Sequence, residues 1–290
     1  QVRLPRESKV QSVSIDGRKQ PLGSSTDQVV LPVHPGSQVI AIHWQMPQGI
    51  GMLFRVPEVD LGSESVNCNI EVQIGNRWVW FVSGPRMGPA ILFYSEVLII
   101  LLVAVILGRS GLTPLGGIQW AVLGLGLSQS GLVTGLVIVC WFLALEQRRR
   151  LGGKLAGVSF NLVQAALVLL TLVAAVAFVF AVRHGLLGHP DMQISGNQSS
   201  SYILRWYQDR VAGGLPQPLL VSVPLMAYRG VMLLWALWLA MRCLRWVGWG
   251  WQCFSREKLW DKVGVKPLVQ RVGRRKQGKD APPPPETEKE

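Results

Sequence analysis

Residues 162–182 have the sequence LVQAALVLLTLVAAVAFVFAV, a long run that contains no charged side chain. A helix needs about 20 apolar residues to cross the hydrocarbon core of a bilayer. The run therefore predicts a transmembrane helix, which extends over residues 158–183 when its flanks are included.

Three further apolar stretches lie at residues 89–108, 112–145 and 219–241. Charged residues make up only 16% of the chain, against about 25% in ordinary soluble domains. Residues 112–145 are too long for one span and too short for two full ones. The sequence thus predicts an α-helical polytopic membrane domain over residues 89–241, with three full spans plus a short helical hairpin, or with four spans.

The first 88 residues have a different pattern. From Val66 to Ile74 apolar and polar residues alternate, which is the period of a strand with one buried face. Shorter candidate strands lie at residues 10–15, 29–33, 38–44, 52–56 and 78–82. Their spacing predicts a small antiparallel all-β sandwich-like domain over residues 1–88. The chain opens at Gln1 almost directly into this strand-like sequence, which is compatible with a preceding signal peptide or domain.

Lys and Arg indicate the orientation, because short loops rich in these residues stay in the cytoplasm. Arg148, Arg149, Arg150 and Lys154 mark one such loop, and residues 242–279 carry another excess of positive charge. Residues 184–218 balance two Arg against two Asp and should form an outward loop. This pattern is typical of the bacterial inner membrane, with the tail in the cytoplasm and residues 1–88 in the periplasm.

Glu96 and Arg229 are predicted to lie within the membrane. Each is on the order of 10 Å from the surface at which its helix begins. If residues 1–88 are outside, the two charges lie at the same depth and can pair; if they are inside, the charges lie in opposite leaflets. Pairing favours the outside topology because an unpaired charge in hydrocarbon is costly, although separate snorkelling to the headgroups remains an alternative.

Four uncharged polar residues also fall in the apolar stretches: Ser128, Gln129, Asn161 and Gln164. Asn161 and Gln164 are three positions apart and so share one face of a helix. We expect this face to hydrogen-bond to a neighbouring helix.

The predicted membrane-interface anchors are aromatic and basic side chains, since both favour the headgroup region. They are Trp235, Trp238, Arg242, Arg245, Trp246, Trp249, Trp251 and Trp260. Residues 242–272 are accordingly predicted to form a basic interfacial segment on anionic lipid, which explains the charge better than nucleic-acid binding does. Residues 273–290, rich in Pro and Glu, are predicted to be a disordered tail.

The outward loop contains the remaining candidates for chemistry: His184, His189, Asp191 and Asp209. Their spacing matches no metal motif. A short helix over residues 200–212, with an Arg205 to Asp209 pair, is predicted in the same loop. Neither a catalytic motif nor a cysteine framework is present in the sequence, so no catalytic residue, metal or cofactor is predicted.

Three hypotheses for function follow. The first is a non-enzymatic bacterial inner-membrane protein for envelope assembly or partner binding, with a protein partner at the β domain. The second is a transporter or channel subunit that uses the intramembrane polar residues. The third is a membrane enzyme that acts at the outer face through the histidines and aspartates of the outward loop.

Overall fold

The structure, a computed structural model, describes residues 1–21, 28–151, 157–256 and 259–260. This part of the chain contains five helices, of which the last two are the longest. They are α1 (Phe93–Arg109), α2 (Gly117–Ser128), α3 (Leu132–Arg150), α4 (Val158–Leu187) and α5 (Leu225–Ser255).

Twelve strands accompany the helices in the described residues. Nine precede α1: β1 (Val2–Arg3), β2 (Lys9–Ile15), β3 (Arg18–Gln20), β4 (Gln28–Val29), β5 (Ile40–Gln45), β6 (Leu53–Arg55), β7 (Ser65–Gln73), β8 (Arg77–Ser83) and β9 (Ala90–Ile91). Three lie between α4 and α5: β10 (Ile194–Ser195), β11 (Ile203–Val211) and β12 (Leu219–Pro224).

The prediction of three spans plus a hairpin, or of four spans, is wrong. Among the described residues only α4 and α5 are long and apolar enough to cross a membrane. They have 30 and 31 residues, or about 45 Å each, which exceeds the roughly 30 Å hydrocarbon core. The other three helices are too short or too charged to meet the same criterion.

The stretch at residues 112–145 divides for a local reason. Gly131 has a φ of 88°, a left-handed conformation that side chains disfavour, and it separates α2 from α3. As a result α2 has only 12 residues, which corresponds to about 18 Å. The last five residues of α3 include Glu146 and three arginines, so its apolar part is short as well.

The expectation of a separate sandwich that simply precedes the helices is also wrong. Strands occur at the predicted places, but they form five small sheets with orders β1-β4, β10-β9, β11-β7, β6-β12-β8 and β3-β2-β5. Three of these sheets include a strand from between α4 and α5. The long β11 pairs antiparallel with β7 from Ile203 opposite Gln73 to Val211 opposite Ser65, and β12 lies between β6 and β8.

The helix predicted over residues 200–212 is wrong for the same reason, since β11 occupies that position. Its side chains alternate between the two faces of the sheet, and Leu204 and Trp206 are buried. Arg205 pairs with Glu71 on the neighbouring strand at 3.0 Å instead of with Asp209. The partner strand therefore overrides the local helical spacing.

Two hydrophobic cores result, one among the helices and one among the sheets. Trp141, Phe142 and Trp235 belong to the helical core, whereas Trp206 is the largest side chain of the sheet core. Trp78 packs against both cores. The sheets are thus attached to the helical bundle by a continuous apolar contact.

The predicted basic segment is only partly covered by the structure. Residues 242–255 continue α5 as a helix. The amphipathic pattern from residue 261 onward and the predicted tail at residues 273–290 lie outside the described residues and stay predictions. Trp260, which is described, is 57% exposed.

Candidate functional site

A group of polar side chains lies where the sheets meet the helices. It includes Glu96 near the beginning of α1, Gln129 between α2 and α3, Asp191 and Gln193 after α4, and Tyr228 near the beginning of α5. We call these five residues the polar junction. The helix ends come together here because the α2–α3 and α4–α5 connections, which contain Gln129 and Asp191, are joined to each other at this end of the bundle.

Gln129 is the centre of the polar junction. Its side-chain oxygen accepts hydrogen bonds from the Asp191 backbone nitrogen at 3.0 Å and from the Tyr228 hydroxyl at 3.4 Å. Its nitrogen donates to the Ser128 hydroxyl at 3.3 Å. Gln129 is only 8% exposed, so a single buried amide joins the α2–α3 turn to the segment after α4 and to α5.

Glu96 forms the second contact of the polar junction. The Gln193 side-chain amide donates to a Glu96 carboxylate oxygen, and the Gln193 backbone nitrogen donates to the Asp191 carboxylate at 3.0 Å. Burial, and then the negative charge of Asp191, raises the pKa of Glu96 above its usual value. The contact attaches the first turn of α1 to the segment that leads into β10.

An apolar cavity adjoins the polar junction. It has a volume of about 330 Å³, and its lining includes Trp78, Tyr94, Leu125, Gln129 and Met232. The Trp78 ring lies 5.3 Å from the Tyr228 ring. Among the described residues the lining contains no charged side chain, and its polar groups include the Gln129 amide and the Tyr94 and Tyr228 hydroxyls. The cavity therefore suits a mainly apolar group.

The predicted pair of Glu96 and Arg229 is not formed. Ion pairs between described residues join Glu146 to Arg149 and Arg150, and Arg205 to Glu71. The Arg229 Nε atom is buried and has no hydrogen-bond partner. Glu96, in contrast, accepts a hydrogen bond from the Gln193 side chain. Glu96 thus contacts the segment after α4 and not Arg229 on α5, although both residues lie near the end of the bundle that faces the sheets.

The histidines and aspartates of the predicted outward loop are dispersed rather than clustered. His184 stacks on Phe180 in the last turns of α4, and His189 lies 3.4 Å from the Asn76 side chain. Only Asp191 belongs to the polar junction, since Asp209 lies on β11. No group of three His, Cys, Asp or Glu that could hold a metal ion occurs in the described ranges.

No protein-family model, curated protein or solved structure matches this chain. Function is therefore inferred from the chemistry of the residues and from their positions in the fold.

The predicted anchors on α5 differ in their environment. Trp235 and Trp246 are buried in the helical core, at 7% and 4% exposure, whereas Trp251 is 61% exposed. The Trp235 indole donates to the Val122 carbonyl at 2.9 Å. Trp238 and Trp249 are partly buried against the same core. Several of these indoles therefore connect helices, and Trp251 is the one that projects outward most.

Among the intramembrane polar candidates, Gln164 makes contacts with two other helices. Its oxygen accepts from Arg148 Nε at 3.2 Å, and its nitrogen donates to the Phe254 carbonyl at 3.1 Å. Asn161 lies one turn earlier on α4. Gln164 is fully buried, and it links α3, α4 and α5 at the end of the bundle away from the sheets.

The sequence patterns did not single out Gln193 or Tyr228, and they gave Arg148 a different role. Gln193 lies in an irregular segment with a φ of 45°, and nothing in its local sequence indicates that it reaches α1. Arg148 was interpreted as a loop charge but is only 2% exposed. One feature could have indicated its burial: Arg148 lies three residues after Leu145, and so on the same apolar face of α3.

Proposed function

We propose that this chain is a non-enzymatic, membrane-anchored component of the bacterial inner membrane, whose sheets engage a protein partner in the periplasm. The observation that carries the proposal is the position of β11 and β12. They lie in sequence between α4 and α5 and pair with β7, β8 and β6. The sheets that contain β11 and β12 are consequently attached through the chain to both membrane-type helices and cannot move far from them.

The exposure of α4 and α5 supports the membrane anchor. Only 17% of the most apolar part of α4 and 22% of that of α5 is buried, whereas the core helix of a soluble protein would be mostly buried. Exposed apolar side chains on α4 include Leu169, Leu172, Val176 and Val179, and those on α5 include Leu234, Leu237 and Leu244. Surfaces of this extent are rare in water but are expected in contact with lipid.

The distribution of charge supports the orientation. Arg148, Arg149 and Arg150 end α3, and Arg150 donates to the Gly111 carbonyl at the α1–α2 connection. These arginines lie at the end of the bundle opposite the polar junction, since α3 runs from one to the other. The preference of Arg for cytoplasmic loops therefore supports a periplasmic position for the sheets.

An apolar face on the β6-β12-β8 sheet supports a protein partner. Val221 on β12 pairs with Leu53 on β6 and with Phe81 on β8. Leu53 and Phe81 are 69% and 50% exposed. Exposed apolar side chains grouped in this way are typical of protein interfaces. The face lies outside the helical bundle and would therefore be available to another envelope protein.

Orientation is tested by labelling single cysteines with a membrane-impermeant maleimide in spheroplasts. Lys19→Cys on the β2–β3 hairpin and Ser110→Cys after α1 are each introduced into a chain whose four natural cysteines are replaced by Ala. We expect Lys19→Cys to react in intact spheroplasts and Ser110→Cys to react only after lysis. Release of the chain by alkaline carbonate would contradict the anchor, and the reverse labelling pattern would contradict the orientation.

The partner is tested with a photo-crosslinking amino acid at Phe81, and with the same amino acid at the exposed Lys19 as the matched control. A discrete crosslinked protein that appears at Phe81 and not at Lys19 is expected. Identical crosslinking from both positions, or none from Phe81, would argue against partner binding at this face.

A further inference from the structure

Arg148 is a buried cation at the end of the bundle where α3 and α5 end and α4 begins. We call this the basic end. The side chain is 2% exposed, its Nε donates to Gln164, and its guanidinium lies 4.7 Å from the centre of the Phe160 ring. Its Nη2 atom is buried and has no hydrogen-bond partner. Arg148 thus has an unused donor in a site that excludes most water.

The carboxylate nearest in sequence is already engaged. Glu146 accepts from Arg149 at 2.8 Å and from Arg150 at 3.0 Å. No ion pair joins Arg148 to a carboxylate among the described residues. A buried charge of this kind is unfavourable unless an opposite charge comes close, and the three arginines exceed the one glutamate by two charges.

An apolar groove lies between α3, α4 and α5 beside the basic end. It has a volume of about 250 Å³, and its lining includes Trp141, Leu145, Leu172, Trp251 and Phe254. Leu145 is three residues before Arg148 on the same helix. Arg148 is not part of the lining, but the lining comes within one helical turn of it along α3.

The groove opens toward the outside of the bundle rather than toward the sheets. Val247 and Trp251 on its rim are 66% and 61% exposed. Gly250 provides the space, because a β-carbon at this position would reach Leu145 at 3.4 Å. The outer surface at this point is the apolar surface that the proposed anchor presents to lipid.

We propose that the basic end binds one anionic phospholipid, with its phosphate at Arg148 and an acyl chain in the groove. A guanidinium recognises phosphate through two parallel hydrogen bonds, and the unused Nη2 supplies one of them. A free phosphate would use the arginine but would leave the groove without a role. The inference rests on the proposed membrane anchor, since only a chain embedded in lipid has this ligand at its side.

Binding is measured by native mass spectrometry of the full chain in detergent, with phosphatidylglycerol and phosphatidylcholine added at equal concentration. We expect retention of phosphatidylglycerol to exceed that of phosphatidylcholine by about tenfold. Arg148→Gln should remove this preference, and Arg109→Gln, an exposed arginine at the same end, should keep it. Equal retention of the two lipids by the natural chain would overturn the proposal.

A second pair of variants tests the groove without changing the arginine. Gly250→Leu places a side chain in the groove and should lower retention of phosphatidylglycerol by about tenfold. Gly248→Leu, whose β-carbon meets no atom within 4 Å, should retain the lipid. If Arg148→Gln fails to fold, the comparison of Gly250→Leu with Gly248→Leu tests the proposal instead. Unchanged retention of phosphatidylglycerol by Gly250→Leu would overturn it.

Competition with inorganic phosphate distinguishes a lipid headgroup from a free anion. It should not displace phosphatidylglycerol at concentrations that saturate simple phosphate sites, and full displacement would assign the site to a free anion instead. Carbonate extraction of the same variants is scored separately. A chain that remains membrane-embedded without lipid preference overturns this inference alone, whereas an extracted chain contradicts the proposed anchor.

Discussion

The side-chain oxygen of Gln129 lies 3.0 Å from the backbone nitrogen of Asp191, across 62 positions of sequence. This hydrogen bond joins the short turn between α2 and α3 to the segment that leads from α4 into the sheets. Since Gln129 also accepts from Tyr228, the relationship connects three separate parts of the chain at one buried atom.

Gln129→Ala should destabilise the fold by about 1–3 kcal/mol, because the Asp191 N–H loses its buried partner. Thermal unfolding in detergent, followed by differential scanning fluorimetry, measures the effect. Gln147→Ala is the matched control, since Gln147 is exposed on α3 and its loss should change stability by less than about 0.5 kcal/mol. Equal midpoints for the two variants would argue against a structural role for Gln129.

Gly126→Ala should disrupt the contact between α2 and α5. A β-carbon at Gly126 would collide with the Trp235 ring, and overpacking of this kind costs about 1–3 kcal/mol. Gly135→Ala on α3 is the control, because its β-carbon meets nothing within 4 Å. The prediction fails if both variants have the unfolding midpoint of the natural chain.

Trp206→Ala should weaken the sheets more than any exposed aromatic substitution does. Trp206 is 2% exposed, and a β-carbon at Gly84 or Gly88 would collide with its ring. Removal of such a side chain costs about 3–5 kcal/mol. Limited proteolysis of the sheets should be faster in Trp206→Ala than in Trp44→Ala, whose indole is 37% exposed; similar rates would be inconsistent with the packing.

Acid should weaken the end of α3 through Glu146. Burial alone would raise the pKa of Glu146, but the hydrogen bonds from Arg149 and Arg150 outweigh it and lower the pKa below its usual value. Because the pKa is lower in the folded state than in the unfolded state, the Glu146 carboxylate stabilises the fold at pH values above the usual pKa of a carboxyl group. The contribution is lost as the pH falls through the lower folded value.

The difference in unfolding midpoint between the natural chain and Glu146→Gln should therefore be largest near about pH 7 and shrink toward about pH 3. Glu71→Gln serves as a comparison, because the Glu71 pair with Arg205 is exposed and should contribute little. A Glu146→Gln difference that is constant across this range would contradict the assignment.

Three of the five polar junction residues, Glu96, Asp191 and Gln129, were singled out by their sequence alone. Glu96 and Gln129 stood out because hydrocarbon makes a charged or amide side chain costly, and Asp191 stood out as a candidate for chemistry in the predicted outward loop. Gln193 and Tyr228 did not stand out, since a glutamine in a polar loop and a tyrosine at the beginning of a helix are ordinary. Their role depends on which chain segments lie next to them.

The sequence by itself determined the apolar helix at residues 162–182, the alternating strand from Val66 to Ile74 and the basic residues that end α3. Each of these features depends on residues within a few positions of one another, so the periodicity and the charge of the local sequence are enough to predict it. Only the tertiary structure decided that residues 203–211 form a strand and that Arg148 is buried. These outcomes depend on partners more distant in sequence, such as β7 for β11 and Gln164 for Arg148, and local periodicity carries no information about such contacts.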